Sequence, residues 1–154
     1  MEHILVRRAE PRDLSEVAQM CHGLWPEASV AEHAQDLAPV LAGQPVGTLP
    51  GIVLLAQEPQ GRILGFIEVD LRSYADGCNP SRPVGYIEGW YVLPACRRRR
   101  VGARLVTAAE EWARSQGCLE MASDAWLDAF NSQRAHEALG YKVVDRCVHY
   151  RKDL

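Results

Sequence analysis

Between Gly85 and Val106 the chain reads GYIEGWYVLPACRRRRVGARLV, and two kinds of chemistry lie side by side in it. Tyr86, Ile87, Trp90, Tyr91 and Val92 are strand formers, and Glu88 stands among them. Pro94 cannot donate to a ladder, so the strand stops there. The arginines at 97 to 100 follow, and Val101, Leu105 and Val106 then recur at helical spacing. A strand that runs through a basic turn into a helix predicts an anion site. The first helical N–H groups have no partner inside the helix, and the dipole there favours negative charge. The plain alternative is an arginine cluster on a solvated loop. His3, His22, His33, His136 and His149 are dispersed without ligand spacing, so no metal is implied. No Ser-His-Asp or Cys-His constellation is read either.

The elements that must position this stretch follow from periodicity. Ile4 to Arg8 reads as a strand, and Pro11 stands where helices begin. Leu14, Val17, Ala18, Cys21 and Leu24 mark a helix ended by Trp25-Pro26, and Val30, Ala34, Leu37 and Leu41 mark a second, over about 29–42. Gly43 to Gly51 is a loop. Strands 52–57 and 62–71 form a hairpin around Glu58-Pro59-Gln60-Gly61, and a polar loop, 73–83, leads to the central strand. The helix after the arginines runs to about Gln116, with Gly117 as its cap. A strand at 119–123 ends at Asp124, a helix at 129–139 is closed by Gly140, and strands at 141–146 and 147–152 finish the chain.

The chain of 154 residues is read as one domain, 1–154, large enough for a real core. Its 17 basic and 20 acidic side chains give a formal charge of −3, so the arginines are a local feature. Nucleic-acid binding would prefer a basic domain, whereas a mildly acidic surface suits a cationic small molecule. The five cysteines are odd in number and lack a CxxC pair, which argues against a disulfide framework or a structural zinc. No apolar run suits a signal peptide or a membrane span. A cytoplasmic protein without nucleic-acid or membrane partners is expected.

The arginine turn resembles the acyl-CoA-binding turn of the GCN5-related N-acetyltransferases (GNAT), Gln/Arg-x-x-Gly-x-Gly/Ala. Arg97, Val101 and Gly102 match it. Arg100 stands where glycine is usual, which speaks against a left-handed backbone there. The element order β-α-α-β-β-β-α-β-α-β-β is that of the same family. The resemblance implies an α/β (α+β) GNAT fold, a mixed sheet of about seven strands flanked by four helices.

Further stretches resemble the aminoglycoside 6'-N-acetyltransferases: Leu24-Trp25-Pro26, Ser73-Tyr74 with Asp76-Gly77-Cys78, Ile87-Glu88-Gly89, Glu120 to Asp124, Ser132-Gln133 with His136, and Tyr150-Arg151-Lys152. The resemblance implies transfer of acetyl from acetyl-CoA to the 6'-amine of an aminoglycoside in a ternary complex, by a homodimer that uses no metal. Glu88 would take the proton of the attacking ammonium. His136, four residues before Gly140 where many relatives carry Tyr, and Tyr150 are the candidate acids for the departing thiolate. Tyr91, Val92, Arg97, Arg98, Arg99, Arg100, Val101, Gly102, Ala103, Asn131, Ser132 and His136 would hold the donor. Trp25, Tyr74, Asp76, Glu88, Asp124 and Asp145 would hold the antibiotic, with a bulge near Val92 freeing a backbone N–H for the thioester oxygen. Two other readings stay open: acetylation of another polyamine or peptide amine, and a CoA-binding module without turnover.

Overall fold

A computed structural model describes residues 3–44 and 47–154. Pro45 and Val46 of the expected 43–51 loop, and the first two residues of the N-terminal segment, lie outside the described residues. The elements in chain order are β1 (Leu5–Arg8), α1 (Leu14–Leu24), α2 (Val30–Leu41), β2 (Gly51–Gln57), β3 (Ile63–Arg72), β4 (Val84–Val92), α3 (Val101–Ser115), β5 (Met121–Ser123) and α4 (Phe130–Ala138). Local chemistry sets several of these bounds. Ser29 and Glu32 form a reciprocal capping box at the start of α2, and Gly117 and Gly140 take the positive φ that ends a helix.

The sheet has the order β1-β2-β3-β4-β5. The first four strands are an antiparallel meander, and β5 runs parallel to β4. One face, with Ile52, Leu54, Ile67, Val69 and Ile87, packs on Val101, Leu105, Val106 and Ala109 of α3. On the other face Val53, Leu55, Ile63 and Phe66 are covered by Val17, Ala18 and Cys21 of α1 and by Leu37 and Leu41 of α2. Burial of these side chains supplies the main drive for the fold.

The C-terminal fifth departs from expectation. The sheet has five strands rather than about seven, and residues 141–154 form no strand. The expected strand at 119–123 shortens to Met121–Ser123. A strand exists only when a neighbour takes its N–H and C=O groups, and nothing among the described residues pairs with 141–146 or 147–152. Their apolar side chains accordingly lie open: Val143, Val144 and Val148 are 57%, 66% and 63% exposed.

Candidate active site

The site begins where the last two strands part. Gly85, Tyr86 and Ile87 pair with Met121, Ala122 and Ser123, and the pairing goes no further. From Glu88 to Val92 one edge of β4 is therefore open. Leu93 N–H turns inward to Leu64 O at 2.9 Å. On a pleated strand the preceding amide, that of Val92, faces the opposite edge, which is the open one. The register shift lies opposite Glu88, between Glu68 and Val69. The bulge expected near Val92 thus sits at Glu88 instead, and the Val92 amide is freed by the shortness of β5.

Below this opening lies the basic turn. Arg97 has extended backbone (φ −68°, ψ 160°), while Arg98 and Arg100 take φ of +64° and +62°. Arg100 is therefore left-handed, contrary to the sequence expectation, at the cap position directly before helix α3. Positive φ at Arg98 and Arg100 but not at Arg99 alternates the hand of successive residues, which gathers amides into an anion-binding nest. Arg side chains brace this turn: Arg97 Nε donates to Val92 O at 3.0 Å, and Arg99 Nη2 to Glu58 at 3.0 Å. Val101 is buried in the core, so it and its neighbours Gly102 and Ala103 offer main chain. At Gly102 a Cβ would stand 3.0 Å from the Trp90 ring, so glycine lets α3 close on β4. The residues present fit a phosphate-bearing group.

His136 of α4 packs edge-on against Trp90, with centroids 5.2 Å apart. Its Nδ1 lies 2.7 Å from the Ser132 carbonyl, which only accepts, so Nδ1 carries a proton. Its Nε2 lies 2.7 Å from Ser123 Oγ at the end of β5. A merely exposed helix histidine is excluded. Ala129, not Asn131 or Ser132, is the N-cap of α4, and no side chain caps it; simple capping is therefore not what those two residues do.

On the α1 side of the sheet the same opening has a carboxylate floor. Phe66, Glu68, Asp70 and Arg72 alternate along β3 onto this face, and Glu88 projects beside them from β4. Arg72 holds both Glu88 oxygens, at 2.8 and 2.7 Å, and its guanidinium lies 3.5 Å over the Tyr86 ring. The Tyr86 hydroxyl donates to Asp124 at 2.8 Å, and burial with that bond pushes the phenol upward. Burial, then Asp70 and Glu88, raise Glu68 to about 7. Burial and Glu88 also raise Asp70, which leans over Gly51. Trp25 stacks above the bulge against Gly89, 6.4 Å from Phe66 by ring centroids. It serves core and site at once.

Around the rim, Tyr74 donates to Asp76 at 3.0 Å, and Asp145 is close enough to raise the Tyr74 phenol along with Asp76. Val144 lies against Gly77, so the terminal segment crosses this loop. Tyr150 is 92% exposed, and the chain does not bring it to the cluster. Glu88, Trp25 and Asp124 come together, with Tyr91 and Val92 on the same strand. Sequence reading missed Glu68, Asp70, Arg72, Tyr86 and Ser123. The signal for the first three was present as strict alternation after Phe66.

The chain matches the acetyltransferase (GNAT) family over residues 13–141, and it belongs to that family. Curated relatives make the comparison narrower. It is 43% identical over 150 residues, 97% of each chain, to aminoglycoside N(6')-acetyltransferase type 1 of Klebsiella aerogenes. The enzyme of that name from Stenotrophomonas maltophilia is 38% identical over 150 residues, 97% of this chain and 93% of the relative. Among solved structures it resembles AAC(6')-Iy in complex with the bisubstrate analogue CoA-S-monomethyl-acetylneamine, with TM-score 0.85, 31% identity and 99% of both chains covered. AAC(6')-Ih from Acinetobacter baumannii gives a TM-score of 0.86 at 29% identity, again with 99% of both chains covered.

Proposed function

We propose that this chain, working as one domain over 1–154, transfers acetyl from acetyl-CoA to the 6'-amine of aminoglycoside antibiotics in a ternary complex. The observation that carries the reading is the gap where β4 outruns β5. An amide nest suited to phosphates lies at one mouth and a carboxylate floor suited to ammonium groups at the other. Relatives named for this reaction match nearly the whole chain.

Acetyl-CoA supplies the activated acetyl group, and the protein's residues do the rest. Glu88 accepts the proton that the acceptor ammonium must lose before it attacks, directly or through one water. Arg72 holds Glu88 in the free protein and yields it to the incoming ammonium. The Val92 amide donates to the thioester oxygen as that oxygen gains negative charge. His136, backed by Ser123, supplies the proton for the departing thiolate. Tyr150 remains the other candidate for that step. Asn131 and Ser132 line a shallow cleft at the start of α4, suited to the pantetheine arm, and Trp25, Tyr74, Asp76, Asp124 and Asp145 surround the antibiotic.

We further propose a homodimer. The exposed Val143, Val144 and Val148 and the uncovered outer edge of β5 are the surfaces it would use. A cytoplasmic setting suits the cysteines, all of which are free, with Cys21, Cys96 and Cys118 buried as thiols. No helix among the described residues is long and apolar enough to cross a membrane.

The deciding assay is acetyl-CoA-dependent thiol release with aminoglycosides bearing a 6'-amine beside counterparts bearing a 6'-hydroxyl. Turnover with the amines alone is expected. Turnover with both sets would discard the 6' assignment, and silence on both would favour another amine or a module without turnover. The left-handed Arg100 removes the one sequence feature that encouraged that last reading.

A further inference from the structure

The floor holds four carboxylates, Glu68, Asp70, Glu88 and Asp124, and a single guanidinium, that of Arg72. Arg72 gives both of its charge-assisted bonds to Glu88, and Asp124 has the Tyr86 hydroxyl. Glu68 has neither a hydrogen bond nor an ion pair among the described residues. It sits opposite Gly89 at the bulge, with Val53 of β2 on its other side. Its carboxyl oxygens are not among the sealed, unsatisfied polar atoms, so they retain access to the opening. No cation among the described residues neutralises it, yet it stands beside Glu88, the carboxylate proposed to receive one.

We propose that Glu68 is a positioning residue whose charge follows the acceptor: it shares its time between acid and carboxylate in the empty site and ionises fully when a polycationic acceptor settles on the floor, so that binding expels the proton it holds. This rests on reading the floor as the acceptor site. The groups facing Glu68 make the direction clear. Asp70 on its own strand and Glu88 from β4 both oppose its ionisation. From α1 comes Cys21, held as a neutral thiol with its titration pushed up to about 12, and from β2 only Val53. Burial adds to the same side and places the Glu68 titration at about 7. An ammonium beside Glu88 adds the cation that is missing and tips Glu68 to the carboxylate. The floor thereby avoids a second unpaired buried charge when empty and offers one more when filled.

The test is titration calorimetry with neamine on the CoA-bound protein, in two buffers of different ionisation heat at pH 7. Comparison with Glu68→Gln cancels the protons exchanged by neamine itself. The wild type is expected to release more protons than the variant, by up to about half a proton at pH 7, and the excess should vanish at pH 9, where Glu68 is already ionised. Equal proton counts at pH 7 would overturn the inference. If Glu68→Gln fails to fold, a carbon-13 carboxyl titration of the wild type decides: the Glu68 midpoint should fall by about one unit or more with neamine, and an unmoved midpoint overturns the proposal. Should neamine not bind the wild type at all, both this inference and the acceptor assignment fall. The 6'-amine assay, silent in that case, separates the two failures.

Discussion

The two mouths of the β4–β5 gap are built from different materials. On the proposed reading the donor mouth is main chain: its working groups would be the amides of residues 98–103, while the Arg97 and Arg99 side chains brace the turn. The acceptor mouth is side chain: Glu68, Asp70 and Arg72 stand on one face of β3, with Glu88 and Tyr86 beside them from β4. Main chain tolerates substitution as long as the dihedral angles survive, which is why Arg100 occupies a glycine position with the glycine's hand. A strand face has no such latitude on that reading, because there side-chain charge itself would meet the acceptor. Changes at the acceptor mouth should therefore cost function, and changes at the donor mouth should mostly move stability.

Glu88→Gln is the strongest test of that contrast. Turnover with a 6'-amino aminoglycoside should fall by a factor of about 10² or more, while acetyl-CoA affinity stays within about twofold. Steady-state kinetics with a separate acetyl-CoA binding isotherm would show it, and unchanged turnover at saturating antibiotic would remove the base assignment.

Glu68→Gln should show its effect in stability. A carboxyl raised from 4.5 to about 7 on folding binds more protons in the folded state than in the unfolded state between those values. Its contribution is complete below pH 4.5 and is lost as pH rises through 7, a swing on the order of 3 kcal/mol. The variant lacks this fall, so its urea midpoint should exceed that of the wild type at pH 8 and lose most of that advantage near pH 5. Parallel pH profiles would sink the assignment.

Gly89→Ala sharpens the contrast from the acceptor side. Its Cβ would stand 2.9 Å from Trp25 Cζ2, so the indole must shift. Overpacking of this kind costs about 1–3 kcal/mol, and KM for the antibiotic should rise while KM for acetyl-CoA holds. Arg100→Gly, at the donor mouth, should do the least. Relief of a left-handed non-glycine residue at φ +62° is expected to raise stability by up to about 1 kcal/mol. Acetyl-CoA KM should change less than twofold; a large rise would give the Arg100 side chain a binding role.

Much of this architecture was legible because its causes are local. The helical spacing of Leu14 to Leu24 and of Val101 to Val106, the Glu58–Gly61 turn and the Gly117 and Gly140 helix ends each act within a few residues. The break from strand to helix at the arginine turn was legible for the same reason, although the left-handed backbone at Arg100 was not, because a non-glycine side chain disfavours it. Residues 141–152 carry a strand-like composition, yet a strand requires a partner that composition does not name. Glu68 and Asp70 escaped notice because acids in a strand read as a solvated face. Only the neighbouring strand shows that their face is half-buried and already holds Glu88.

The brevity of β5 also bears on the order of events. Because pairing stops at Ser123, the edge of β4 from Glu88 onward is left as a slot, with α1 packed on one face of the sheet and α3 on the other. On the proposed reading the donor would enter from the side of α3 and α4 and the antibiotic from the side of α1. Neither would then block the other's path, and either product could leave while its counterpart stays. Such a slot allows random addition, and initial-rate plots against both substrates should intersect rather than run parallel.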